Sequence, residues 1–229
     1  MLSFETSRLM AVIFTPNFII SDKLVLANKF KEISENKFDG ELISLPVPPN
    51  APPGLPRLTL ISHDGIWKIE VSLERTNLIF NRPLGITSEI PSIYDFGNFA
   101  DQFFCAYKKY DNINIQRLAL VSETFSILKE ETPAHFIASK FLKNENFLNS
   151  NTLEIHSHKR YKIDSFNINS WIHFKTANLA NKERTPILLF ENDINTLPEN
   201  KDTNFSESEI KKYFVTIPKH FNEISTLFF

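Results

Sequence analysis

Apolar positions recur along this chain with two periods, two and about 3.6 residues, and each change of period marks a new element. The run Leu9–Phe14 reads as a strand. Over about 22–35, Leu24, Leu26, Phe30 and Ile33 recur at helical spacing behind Ser21-Asp22, which is suited to cap a helix. Between Pro46 and Pro56, six prolines and one glycine predict an irregular, partly polyproline-like connector. Leu58–Ser62 and Trp67–Leu73 then alternate on either side of His63-Asp64-Gly65-Ile66. A two-residue turn at Asp64-Gly65 sets Leu60 opposite Ile69 and Leu58 opposite Val71. A third strand, Thr76–Asn81, adds Leu78 and Phe80 to the same apolar face.

A helix over about 94–110 carries Phe96, Phe99, Phe103, Tyr107 and Tyr110 on one stripe. After Asp111-Asn112 a strand begins at Arg117 and runs to Val121. Thr132-Pro133 predicts a capped helix to about 143 with Phe136, Ile137 and Phe141 inward. Three strands follow near 152–163, 167–177 and 186–193. The last helix begins at the capping box Ser206-Glu207-Ser208-Glu209 and buries Ile210, Phe214, Ile217, Phe221 and Ile224, with a kink expected at Pro218.

The predicted fold class is α+β: antiparallel sheet with helices on one face, and a candidate tandem duplication of a strand–helix–three strands–helix unit. Residues 1–112 and 113–229 form its two halves, packed as one unit. Ser7-Arg8-Leu9-Met10-Ala11-Val12 set beside Gln116-Arg117-Leu118-Ala119-Leu120-Val121 carries the internal similarity. The element order resembles the TATA-box-binding protein family, although no basic, intercalating surface of that kind is evident in the sequence. The proline-rich loop before Arg57-Leu58-Thr59-Leu60, the Asp64-Gly65 hairpin, the strand Ile115-Gln116-Arg117-Leu118-Ala119-Leu120 and the terminal amphipathic helix resemble a sporadically distributed family of uncharacterised prokaryotic proteins. That family's aromatic-Arg ending on the third strand is replaced by Leu78-Ile79-Phe80-Asn81. The resemblance implies a fold rather than an activity.

Composition narrows the function classes. At 229 residues the chain can bury roughly 70–75% of its unfolded surface, so its core needs neither disulfide nor metal. The 22 phenylalanines read as core filler. A net charge of −2 lacks the basic field of a dedicated duplex-DNA binder. The lone Cys105 excludes an internal disulfide and a cysteine-based zinc cluster, and its aromatic helical surroundings predict an inert, buried thiol. Met1-Leu2-Ser3-Phe4-Glu5 carries no secretory pattern and no run is long enough to span a bilayer, which places the chain in the cytoplasm, with no membrane partner.

Asp95-Phe96-Gly97 spells a kinase triplet but reads as a helix start, because no glycine-rich or catalytic loop accompanies it. No serine elbow or phosphate-cradling loop occurs. Glu191, Asp193 and Glu199 read as solvated charge at a strand end. Pro46-Val47-Pro48-Pro49 reads as a connector and Leu227-Phe228-Phe229 as a tail packed on the body.

The richest chemistry sits on the hairpin 152–177. A turn at Ser165-Phe166 places His158 opposite His173, His156 two residues along, and Arg160 opposite Trp171 as a cation–π pair. Leu153, Ile155, Tyr161, Ile163, Ile172 and Phe174 take the other face, and Glu154 is the one carboxylate of its strand on the histidine side. Three readings follow. The first is a non-enzymatic adaptor that recognises a protein partner and holds no cofactor. In the second, a nucleic acid is bound by His156, His158, Arg160, Trp171, His173 and Lys175. In the third, a hydrolase holds zinc on His156, His158 and His173.

Overall fold

The alternating segments join in one antiparallel sheet of nine strands. The computed structural model describes residues 2–48, 50–82, 89–111, 113–142, 144–199 and 203–228. Met1, Pro49, Asn112, position 143 and Phe229, and the side chains of Asp111 and Leu227, all named or implied above, lie outside the described residues. In chain order the first half comprises β1 (Glu5–Phe14), α1 (Lys23–Ile33), β2 (Leu42–Ser44), β3 (Leu58–Ile61), β4 (Trp67–Val71), β5 (Arg75–Asn81) and α2 (Ile93–Asp111). The second comprises β6 (Arg117–Ser126), α3 (Pro133–Ile137), β7 (Glu154–Ile163), β8 (Phe166–Asn178), β9 (Pro186–Thr196) and α4 (Glu207–Phe228).

Across the sheet the order is β2-β3-β4-β5-β1-β6-β9-β8-β7. Outward from the seam between β1 and β6, the strands follow as β5, β4, β3 on one side and β9, β8, β7 on the other, with β2 added beyond β3. A bulge between Thr6 and Arg8 interrupts the seam, where Ser7 Oγ donates to the carbonyl and carboxylate of Glu123.

Period-two alternation sends Leu9, Ala11, Ile13, Leu78, Phe80, Leu118, Leu120, Phe174 and Phe190 to one face, where they form a single core with Phe30, Phe96, Phe103, Ile137 and Phe214 of the helices. Val12, Ile79 and Ala119 are also buried, but they point to the opposite face and stand outside that core. The phenylalanines do pack inside. Phe30 meets Phe103 and Tyr107, Phe104 carries the contact to Phe214, and Phe141 and Phe228 sit on Phe174. Within the described residues no helix is long and apolar enough to cross a membrane.

The local signals held where turn and cap chemistry is strong. The hairpin pairs Leu60 with Ile69 and Leu58 with Val71. Gly65 adopts φ +73°, and Asp64 Oδ1 accepts from the Ile66 amide and the Ser62 hydroxyl. Asp22 caps α1, Thr132 caps α3, and Ser206 and Glu209 close a reciprocal box at α4. Other expectations need correction. Leu24 of α1 is exposed, and Leu26, Ala27 and Phe30 form its buried face. Tyr110 lies exposed at the end of the α2 stripe. The α3 helix ends at Ile137 and widens into π-helical turns over Ala138–Leu142, which swings Phe141 against Phe174. The short edge strand β2 was not anticipated.

The helix layer closes where α2 crosses α4. Pro218 lies inside a helix that continues to Phe228, and it offers no amide proton to the Phe214 carbonyl one turn back. Gly97 of α2 faces that carbonyl so closely that a Cβ there would lie 2.5 Å from Phe214 O and 3.0 Å from Pro218 Cγ. Gly97→Ala is therefore expected to cost roughly 1–3 kcal/mol in urea unfolding despite alanine's better helix propensity. Unchanged stability would contradict the close crossing.

Candidate functional site

The face of the sheet turned away from the helices ends, at β7 and β8, in the residues that drew attention in the sequence. Alternation places Glu154, His156, His158, Arg160 and Lys162 of β7 on this face. Lys175, His173, Trp171 and Asn169 of β8 lie opposite them. The hairpin turn, however, is Asp164-Ser165 rather than Ser165-Phe166. Asp164 takes the left-handed conformation, φ +49°, which aspartate tolerates. Phe166 stays in the strand, buried against Phe205 and Tyr213. Burial of that ring sets the register.

The consequence is a slip of two residues, which keeps every side chain on its expected face and changes every partner. His156, not His158, lies opposite His173. Their rings stack with centroids 3.7 Å apart. His158 lies opposite Trp171 and stacks on it at 4.1 Å, while its Nε2 meets Asn169 Oδ1 at 3.2 Å. Arg160 lies opposite Asn169 and pairs with Glu199 at 2.9 Å, so the expected cation–π contact with Trp171 is replaced by an ion pair. Trp171 remains 44% exposed.

Glu154 acquires a role the sequence reading did not give it. Its Oε2 stands 3.5 Å from His156 Nε2 and 3.4 Å from His173 Nε2. Glu154, His156 and His173 each bring one donor atom within 4.8 Å of the others; His158 is outside this group. His173 Nε2 is sealed from solvent and makes no well-aligned hydrogen bond. Burial, reinforced by His156 and Lys175, holds the His173 imidazole below the usual histidine range and outweighs the pull of Glu154. It is therefore neutral at pH 7.

A second polar cluster lies inward on the same face. The Arg117 guanidinium donates to Asn195 Oδ1 at 3.0 Å and to the Thr196 carbonyl at 3.2 Å. Asn169 Nδ2 also donates to Asn195 Oδ1, at 3.2 Å, and Asn195 Nδ2 donates to Asp193 Oδ1 at 3.0 Å. The chain of contacts thus runs from His158 through Asn169 and Asn195 to Asp193 and Arg117. Because β9 continues to Thr196, Glu191 and Asp193 lie within the strand and not at its end. Burial raises the Asp193 carboxyl above the usual range, against the Asn195 hydrogen bond and the nearby Arg117 charge. The signal available in the sequence was Asn169 next to the apolar Ile168, and Asn195 next to Ile194, in alternating segments.

Cys105 is half-buried on α2, its Sγ 3.3 Å from Asp101 Oδ1, and burial pushes the thiol up to about 12. Only a trace of thiolate exists at neutral pH, so this thiol is a poor nucleophile. Phe228 packs on Phe174 and Phe190, as a tail folded onto the body would.

Replacing Asn195 by alanine deprives Arg117, Asn169 and Asp193 of a shared partner. The expected cost is roughly 1–3 kcal/mol in chemical unfolding. A cost near zero would mean that water substitutes fully for the Asn195 side chain.

No protein-family model matches this chain, and no curated protein matches it at a significant level.

Proposed function

We propose that this chain is a non-enzymatic binding protein that recognises another protein by accepting an extended, acidic segment along β7. The observation that carries this reading is the free edge of that strand. Among the described residues β7 ends the sheet and pairs with β8 alone, over ten residues, whereas the strand at the other edge, β2, has three. An edge strand keeps a row of unpaired amide and carbonyl groups, which an extended segment can use as a further strand. The side chains along β7 select for charge: His156, His158, Lys159, Arg160 and Lys162 against Glu154. Exposed Trp171, stacked on His158, offers an aromatic anchor beside the edge.

A single strand of nucleic acid would use the same surface, stacking a base on Trp171 and His158. The net charge of −2 and the Glu199 carboxylate already paired with Arg160 weigh against it. A cytoplasmic setting suits the single unpaired cysteine.

A display library of extended peptides, screened against the intact chain, is expected to return acidic sequences. Their binding should shift β7 and β8 amide resonances, and Lys159→Glu with Arg160→Glu and Lys162→Glu should weaken it by roughly tenfold or more. Selection of basic or helical peptides, shifts remote from β7, or tighter retention of single-stranded oligonucleotide than of any peptide would overturn the proposal.

A further inference from the structure

We infer that Glu154, His156 and His173 form a site for one divalent transition-metal ion of the zinc class on the helix-free face of the β7–β8 hairpin. The sheet itself brings the three donors together. Glu154 and His156 are two residues apart on β7, and His173 is the cross-strand partner of His156 on β8. All three therefore point the same way without help from a loop.

Two of the three donor–donor edges match a coordination polyhedron, and the third, between the imidazoles, lies within 4.8 Å. Tetrahedral zinc with bonds of roughly 2.0–2.1 Å to nitrogen and oxygen has donor–donor edges of about 3.3–3.4 Å. The edges from Glu154 Oε2 to His156 Nε2 and His173 Nε2 measure 3.5 and 3.4 Å. The imidazoles stack on each other, 25° from parallel, and the Nε2 of each lies within 3.5 Å of that carboxylate oxygen. His173 Nε2, shielded and without a well-aligned hydrogen bond, is the kind of nitrogen that an ion would satisfy.

Donor chemistry sets the class of ion. Two imidazoles and one carboxylate suit zinc, cobalt or nickel. Magnesium and calcium prefer oxygen alone, and cuprous copper prefers sulfur. Three protein ligands leave a coordination position open, and among the described residues no helix covers this face. The charged groups facing the site are Lys175, opposite Glu154, and Glu191, opposite His173 from β9. His158 lies one alternation further along, engaged by Trp171 and Asn169. It is on the same face, is also a histidine, and is excluded by geometry alone, which makes it an internal control.

The inference is independent of the edge-strand reading. A metal can bind here with no partner present, and loss of the metal would leave the free edge of β7 intact.

The test is zinc titration calorimetry on the untagged, chelator-stripped chain, with cobalt absorption as a second readout. One zinc per chain is expected, with a dissociation constant of about 10 μM or tighter. Cobalt should give the visible absorption of a tetrahedral N/O site. Glu154→Gln, His156→Ala and His173→Ala should each weaken binding by roughly tenfold or more, as loss of one of three ligands requires. His158→Ala should leave it unchanged. Thermal unfolding of each metal-free variant reports folding. Should His173→Ala fail to fold, Glu154→Gln and His156→Ala, both at exposed positions, decide the outcome. Absence of zinc uptake, uptake unaffected in the Glu154→Gln/His156→Ala double variant, or uptake lost equally in His158→Ala would overturn the inference.

Discussion

This sheet of nine strands turns one face to its four helices, and the burial of aromatic rings between those two layers is the constraint on which the rest of this molecule depends. Alternation sends Leu9, Phe80, Leu120, Phe174 and Phe190 to the covered side, and α1, α2, α3 and α4 exist as helices because each has an apolar stripe to lay on it. Each fully buried large side chain contributes roughly 1.5–3 kcal/mol relative to exposure, so the aromatic layer outweighs any single polar contact in the structure. The close approach of Gly97 to the Phe214 carbonyl lets α2 and α4 share that layer across the seam between β1 and β6. The same burial also fixes detail. Keeping Phe166 inside the core selects the turn at Asp164-Ser165 and, through it, the pairing of every residue on the β7–β8 hairpin.

What the helices leave uncovered is where the chemistry lies. Val12, Ile79 and Ala119 occupy the middle of the open face, where they are buried. Polar groups gather toward β9, β8 and β7, first as the Arg117–Asn195–Asn169 network and then as the stacked histidines beside Glu154. The edge strand β7 thus combines an unpaired backbone with a basic, aromatic surface. The proposed binding of an extended acidic segment would rest mainly on the backbone of this edge, and that of a metal ion on side chains of its face.

The sequence disclosed this architecture unevenly, and the reasons are physical. The β3–β4 register was readable because Asp64-Gly65 carries its own turn chemistry. The helix starts were readable because Asp22, Thr132 and Ser206 satisfy amides within one turn of themselves. Strand β2 was not, since three residues show no period and pair only because β3 is already in place. The π-helical turn after Ile137 and the strand order across the seam depend on contacts between distant parts of the chain. The site lay between these cases. Period two identified its face and nearly all of its members, but Asp164, Ser165 and Phe166 carry no decisive turn signal. Burial of Phe166 was needed to reveal that Glu154, and not His158, stands with His156 and His173.

The central claim, a sheet covered on one face with its chemistry on the other, is tested most directly by hydroxyl-radical footprinting of the native chain read by mass spectrometry. The account predicts rapid oxidation of Trp171, His156 and His158, and strong protection of Phe96, Phe103, Phe174 and Tyr213. Protection of Trp171 equal to that of Phe103, or oxidation of Phe103 and Tyr213 at the rate of Trp171, would contradict it.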